Sequence, residues 1–129
     1  MAEAGYGRGM PVNETAMTDA NLCEVVLGEP LTAYLSGADS IGQYRAWLRG
    51  GEELRRVANR LAAARRVILT FQVENVAGTA AAWLRGLGSG SEVPADMIRN
   101  DGGNEILGAE LEQTAGKWLS DRRPRLVRL

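Results

Sequence analysis

Between Leu54 and Phe71 the apolar residues Leu54, Val57, Leu61, Ala64, Ile68 and Phe71 are spaced 3, 4, 3, 4 and 3 apart. Only a helix brings side chains at that spacing onto a single stripe. The intervening arginines then lie on other faces. The stripe predicts a helix of about five turns, long for a domain of this size. No segment shows convincing period-two alternation, so the chain reads as all-α.

The flanking segments follow the same logic. Residues 1–17 contain Gly5, Gly7, Gly9 and Pro11 and show no period, which reads as a disordered arm. Asp19 to Leu27 reads as a short helix, capped by Thr18 or Asp19 and ended by Gly28. Pro30 suits the first turn of a helix through Ser36, because its missing N–H would have no partner there. Gly37-Ala-Asp-Ser40 is a turn, and a further helix runs to Arg49, closed by Gly50 and Gly51. Asn75 is placed to cap a helix on which Val76, Ala80, Trp83, Leu84 and Leu87 share a face. After a loop over 86–91, Pro94 opens a short helix through Arg99, which Gly102 and Gly103 break. A last helix begins near Asn104, with Ile106 or Leu107, Leu111, Ala115 and Trp118 inward.

At 129 residues the chain is one compact domain, or two small helical units sharing a core. With 45% apolar but only 5% aromatic residues, that core rests on Leu, Val, Ile and Ala and needs no metal or disulfide. The single cysteine, Cys23, has no internal partner, which fits a reducing cytoplasm. No apolar run approaches the roughly 18–20 residues of a membrane span, and the N-terminus lacks a signal-peptide stretch. The absence of histidine removes Ser-His-Asp and Cys-His catalysis and most catalytic zinc sites. No pair of carboxylates is singled out by spacing. The expectation is a protein with no catalytic residues, metal or cofactor of its own.

The net charge of −1 hides a segregation into blocks. From Ile41 to Thr70 seven arginines face two glutamates, giving +5; from Phe71 to Gly116 two arginines face seven acids, giving −5. Residues 1–40 carry −5 and Lys117 to Leu129 carry +4. Such blocks are either solvated helix faces or surfaces for partners of different charge. Gly86-Leu-Gly-Ser-Gly90 superficially matches a phosphate-cradling loop, but it follows a helix and lacks the lysine, so a plain connection is the simpler reading. Cys23 reads as a small core residue.

Leu31 to Gly50 has the layout of a helix-turn-helix, with Ala33 at the crossing and Leu35, Tyr44 and Trp47 as shared core. Its second helix and the residues after it offer Ser40, Gln43, Arg45, Arg49, Arg55 and Arg56 as candidate DNA contacts. The alternative is a mere helical hairpin. The basic tail Arg122-Arg-Pro-Arg-Leu-Val-Arg128 reads as a nucleic-acid patch, a plug for a partner's acidic pocket, or a frayed terminus.

Two stretches taken in order resemble the Xre/MbcA/ParS-type antitoxins of bacterial toxin–antitoxin pairs. The first is Leu31-Thr-Ala-Tyr-Leu-Ser-Gly37 followed by Arg45-Ala-Trp-Leu-Arg-Gly-Gly-Glu52. The second is Ala82-Trp-Leu-Arg-Gly-Leu87, a loop, and Pro94-Ala-Asp-Met-Ile-Arg99. The resemblance covers about Leu27 to Leu119. It implies a non-catalytic, dimeric, helical antitoxin that captures a toxin, commonly a NAD-destroying RES-domain or ADP-ribosylating enzyme, and often represses its own operon. The resemblance divides the chain into an arm (1–17), a helix-turn-helix region (18–74), a toxin-binding domain (75–119) and a tail (120–129). It places Trp83, Leu84, Pro94, Asp96, Met97, Ile98, Arg99, Leu111 and Trp118 in the toxin-binding region, with Asp96, Arg99 and the residues after Gly108 as contacts. The plug reading of the last helix and tail stands apart from it, because so extended a basic tail is unlike the family's usual short ending. The chain departs from the family at the recognition helix, where Ile41, Gly42, Gln43 and Ala46 replace the usual threonine and arginine. Ile41 and Ala46 bring no hydrogen-bond donor to a base edge. The alternative function is a helix-turn-helix transcriptional regulator with no toxin partner.

Overall fold

A computed structural model describes residues 12–87, 92–101 and 104–122. Among the described residues seven α-helices follow one another: α1 (Val12–Leu27), α2 (Glu29–Leu35), α3 (Ile41–Leu48), α4 (Leu54–Val73), α5 (Ala80–Leu84), α6 (Pro94–Asp101) and α7 (Glu105–Asp121). The all-α class is as expected, and no strand occurs among the described residues. No described helix is long and apolar enough to cross a membrane.

The predicted stripe is the inner face of α4. Val57, Leu61, Ala64, Ile68 and Phe71 are each fully buried, and Ala63 and Val67 widen the buried face. That width matches the two long neighbours, because α1 and α7 both pack along α4. Helix α7 runs in the same sense as α4. Gly108 sits over Ala63, Glu112 accepts from Arg66 Nε at 2.8 Å, and Trp118 meets Phe71 at 6.1 Å between ring centroids. Phe71 also packs on Trp83 of α5 at 5.8 Å. An added Cβ at Gly108 would stand 3.7 Å from Ala63 Cα, an ordinary contact, and 3.2 Å from Arg66 Cδ, so the helices pass closely here and the Arg66 side chain would have to give slightly.

Several boundaries differ from the sequence reading. Helix α1 starts at Val12, so residues 12–17 are helical instead of part of an arm; its first turns bury Ala16, which gives them a reason to order. Residues 1–11 lie outside the described residues, as do the loop at 88–91, Gly102, Gly103 and the tail from Arg123. Asn75 does not cap the following helix. It adopts φ 63° and closes α4 instead, donating its N–H to Gln72 O while Val76 N–H reaches back to Phe71 O. That pairing satisfies the last carbonyls of the helix, and Asn is one of the few non-glycine residues to enter this conformation readily. On the helix that follows, Ala80, Trp83 and Leu84 are buried while Val76 and Leu87 are exposed, because α5 is a single short turn. Ile106 faces outward and Leu107 inward.

Buried residues of the segments 18–74 and 75–119 belong to one continuous core. Buried residues of α1, α2, α4, α5, α6 and α7 belong to the same cluster. Phe71 is the point where α4, α5 and α7 meet. Phe71→Ala is expected to cost about 3–5 kcal/mol, by lost transfer energy and the cavity left behind. A urea titration followed by tryptophan fluorescence checks this; a loss below about 1 kcal/mol would mean that the three aromatic rings do not form the keystone assigned to them.

Candidate functional site

The two sequence stretches that carry the resemblance fold against each other. Tyr34 of α2 donates its hydroxyl to Asp96 Oδ1 of α6. Arg99, one turn further along α6, lies with its guanidinium carbon 4.6 Å from the Tyr34 ring centre. Its Nη1 donates to Tyr34 O at 2.7 Å and to Ala38 O at 2.9 Å, and its Nη2 to Asp39 Oδ1 at 3.2 Å. A planar fork of donors suits this geometry: one cation satisfies the carbonyls at the end of α2 and stacks on the same helix's tyrosine. The hydrogen bond to Asp96 pushes the Tyr34 phenol above its ordinary range, with a smaller contribution from burial.

The turn between α2 and α3 is held from the other side by α4. Gly37 has φ 93°, and an added Cβ would stand 2.8 Å from Arg60 Nη1. Arg60 donates through that nitrogen to Ser36 O at 3.0 Å. Its Nε is buried without a partner, and burial holds the guanidinium below its ordinary range.

The candidate DNA contacts divide into two groups. Ser40 Oγ accepts from Gln43 N at 3.0 Å, and Gln43 Oε1 accepts from Asp39 N at 2.8 Å, so this pair forms a reciprocal cap at the start of α3. Arg45 turns back to the protein: its Nε donates to Glu29 at 2.9 Å and its Nη2 to Glu24 at 3.0 Å. The bond to Glu29 raises its pKa, with Glu24 adding to the effect. Tyr44 completes the knot by donating to Glu24 Oε2 at 2.6 Å. Burial, and then that bond, push its phenol well above the usual range. Arg49, Arg55 and Arg56 are exposed, the last beside Glu53 at 3.5 Å.

Of the residues expected in a toxin-binding region, Trp83, Leu84, Pro94, Ile98 and Leu111 are buried and shape the surface from beneath. Asp96 and Arg99 are half-buried and occupied with Tyr34 and the α2–α3 turn. Trp118 packs between Phe71 and the Arg122 guanidinium, which lies 4.9 Å from its ring centre. The α7 segment is therefore core over much of its length. Cutting the chain after Leu111 removes Ala115, Trp118 and Leu119 from that core, so a truncated form does not isolate a plug.

Beside the Tyr34–Asp96 bond lies a groove of about 430 Å³ lined by Pro30, Leu31, Tyr34, Arg85, Val93, Ala95 and Asp96. A cleft of about 390 Å³ adjoins it, lined by Glu92, Val93, Asp96, Met97, Asn100, Asp101 and Leu107. Tyr34, Arg85 and Glu92 were not singled out as site residues, although each stands in or beside a quoted stretch. Nothing in their spacing gives the register between segments about sixty residues apart. Among the described residues no group of three or more His, Cys, Asp or Glu side chains is placed to hold a metal ion. Cys23 is fully buried and its thiol is pushed up to about 12 by burial, reinforced by Asp19 and Glu24. Comparison with protein-family models, curated proteins and solved structures found no match.

Two outcomes follow from these contacts. Arg99→Ala is expected to cost about 1.5–3 kcal/mol, the range for a hydrogen-bonded charged group, with Arg99→Lys recovering only part of it because an ammonium cannot fork and stack at once. Thermal melts of the two variants check this, and equal stability of both would remove the fork argument. The second concerns Asp19, which is buried against Arg65 at 3.5 Å with its pKa raised by burial more than Arg65 lowers it. A raised carboxyl binds its proton more tightly in the folded state. Its contribution to stability is therefore fully present below the unfolded pKa and is lost as pH rises through the folded pKa. Relative to Asp19→Asn, the natural chain should lose stability with rising pH across the acid range and run parallel above it. Urea midpoints taken from acid to neutral pH check the sign, and the opposite slope would overturn it.

Proposed function

We propose that this protein is an antitoxin-type binding protein that captures and neutralises a NAD-consuming toxin of the RES-domain or ADP-ribosylating kind and has no catalytic activity itself. The observation that carries the reading is the Tyr34–Asp96–Arg99 junction. The two stretches on which the antitoxin resemblance rests meet there in one hydrogen-bonded, stacked contact. Motifs that resemble a family's pattern and also hold each other in place behave as one module, which supports reading them together. The acidic charge of the 71–116 block supports a partner surface of opposite sign, with faster capture as the benefit. We place the complex in the cytoplasm, with this chain as a homodimer that also represses its operon.

A regulator acting on DNA alone is the second reading, favoured by the exposed Arg49, Arg55 and Arg56 beside a well-capped α3. It is weakened by Ser40, Gln43 and Arg45, whose polar groups are engaged within the chain.

Co-expression with the adjacent open reading frame tests the first reading. The expected outcome is a co-purifying complex, with growth arrest and NAD loss only when this protein is left out. Absence of both complex and toxicity would move the assignment to the DNA-binding reading. In that case gel shifts with the promoter should weaken steeply with salt, as phosphate-dominated binding does.

A further inference from the structure

The two clefts beside α6 adjoin at Val93 and Asp96, which line both. They differ in chemistry. The Pro30 and Leu31 cleft is mainly apolar, with Arg85 and Asp96 as its charged groups, whereas every charged group lining the other cleft is a carboxylate: Glu92, Asp96 and Asp101. Asp96 already accepts from Tyr34. Glu92 and Asp101 are exposed and form no ion pair with a described residue. Three carboxylates against the single guanidinium of Arg85 leave the combined lining net negative, which disfavours nucleic acid and anionic lipid as occupants. Such a lining complements a guanidinium or ammonium, and a guanidinium can pair with a carboxylate through two parallel bonds.

We propose that these adjoining clefts dock a segment of a partner protein carrying an aliphatic or aromatic side chain and, three or four residues away, an arginine or lysine. The apolar side chain enters between Leu31 and Val93, and the base lies between Glu92 and Asp101. Spacing of three or four puts both side chains on one face of a helical segment. The proposal rests on the antitoxin reading, in which the partner is the toxin, and it says which feature of the toxin is recognised.

The test uses the full chain, labelled with nitrogen-15, and two synthetic helical peptides that differ at a single position. One presents leucine and arginine four residues apart, and the other leucine and glutamate. The arginine peptide is expected to shift amides of residues 31–34 and 93–101 and to saturate below about 1 mM, with the glutamate peptide at least about tenfold weaker. The double variant Glu92→Lys, Asp101→Lys changes two exposed positions and should reverse that order with its urea midpoint unchanged. Equal binding of both peptides, shifts elsewhere on the surface, or no saturation would overturn the proposal. No toxin is present in this titration. Failure here beside intact toxin capture would remove the clefts as a docking site and leave the antitoxin reading. Binding of the arginine peptide with no toxic neighbour in co-expression would do the reverse.

Discussion

Burial of α4 along nearly half of its circumference is the constraint on which the other helices depend. Seven of its twenty residues are buried, a wider band than one neighbour can cover. Helix α1 takes one side and α7 the other, while α2, α3, α5 and α6 are too short to stand alone and cap the ends and edges of that sandwich. Placement of the α2–α3 pair follows from this. Arg60 on α4 holds the turn from beneath and Arg99 on α6 holds it from above. The geometry of the α2–α3 turn is thus set by two cations that lie outside it in sequence.

Those cations change the meaning of the charge blocks. An arginine-rich stretch between residues 41 and 70 suggests an electropositive face, yet Arg45 closes on Glu24 and Glu29, Arg60 on a carbonyl, and Arg66 on Glu112. The acidic segments on either side supply several of these partners. Alternation of charge along this chain is to that extent an internal pairing scheme, and the surface left for partners is defined by the remainder, which includes Arg49 and Arg55 near α3 and Arg85, Glu92 and Asp101 about α6. Exposed ion pairs of this kind contribute little energy, typically below about 1 kcal/mol each, so their role is more orientation than stability.

The helices were legible because each announces itself locally. The stripe from Leu54 to Phe71, Pro30 and Pro94 at helix starts, Gly28 at a helix end and Ser40 at a cap are all decided within a turn or two. The site was legible only in outline. Trp83, Leu84, Pro94 and Ile98 stood out by type and are buried, and Arg99 stood out by position, but the direction in which it points depends on how α6 meets α2. Such a register is set by volumes across a shared core and leaves no trace in the spacing of either stretch. Asn75 shows the same limit on a smaller scale: its residue type suits both a helix start and a left-handed helix end, and the second is the one that accompanies the packing of Phe71 on Trp83, twelve residues later.

The parallel packing of α7 on α4 also bears on how the chain is made. About thirty residues separate the end of α4 from the start of α7. A chain growing from a ribosome therefore completes α4, and α1 with it, well before the second cover exists. During that interval Ala63 and Phe71 have no α7 to close over them. The half-made molecule is its own most aggregation-prone form, and the speed with which residues 105–121 emerge decides how long that form lasts.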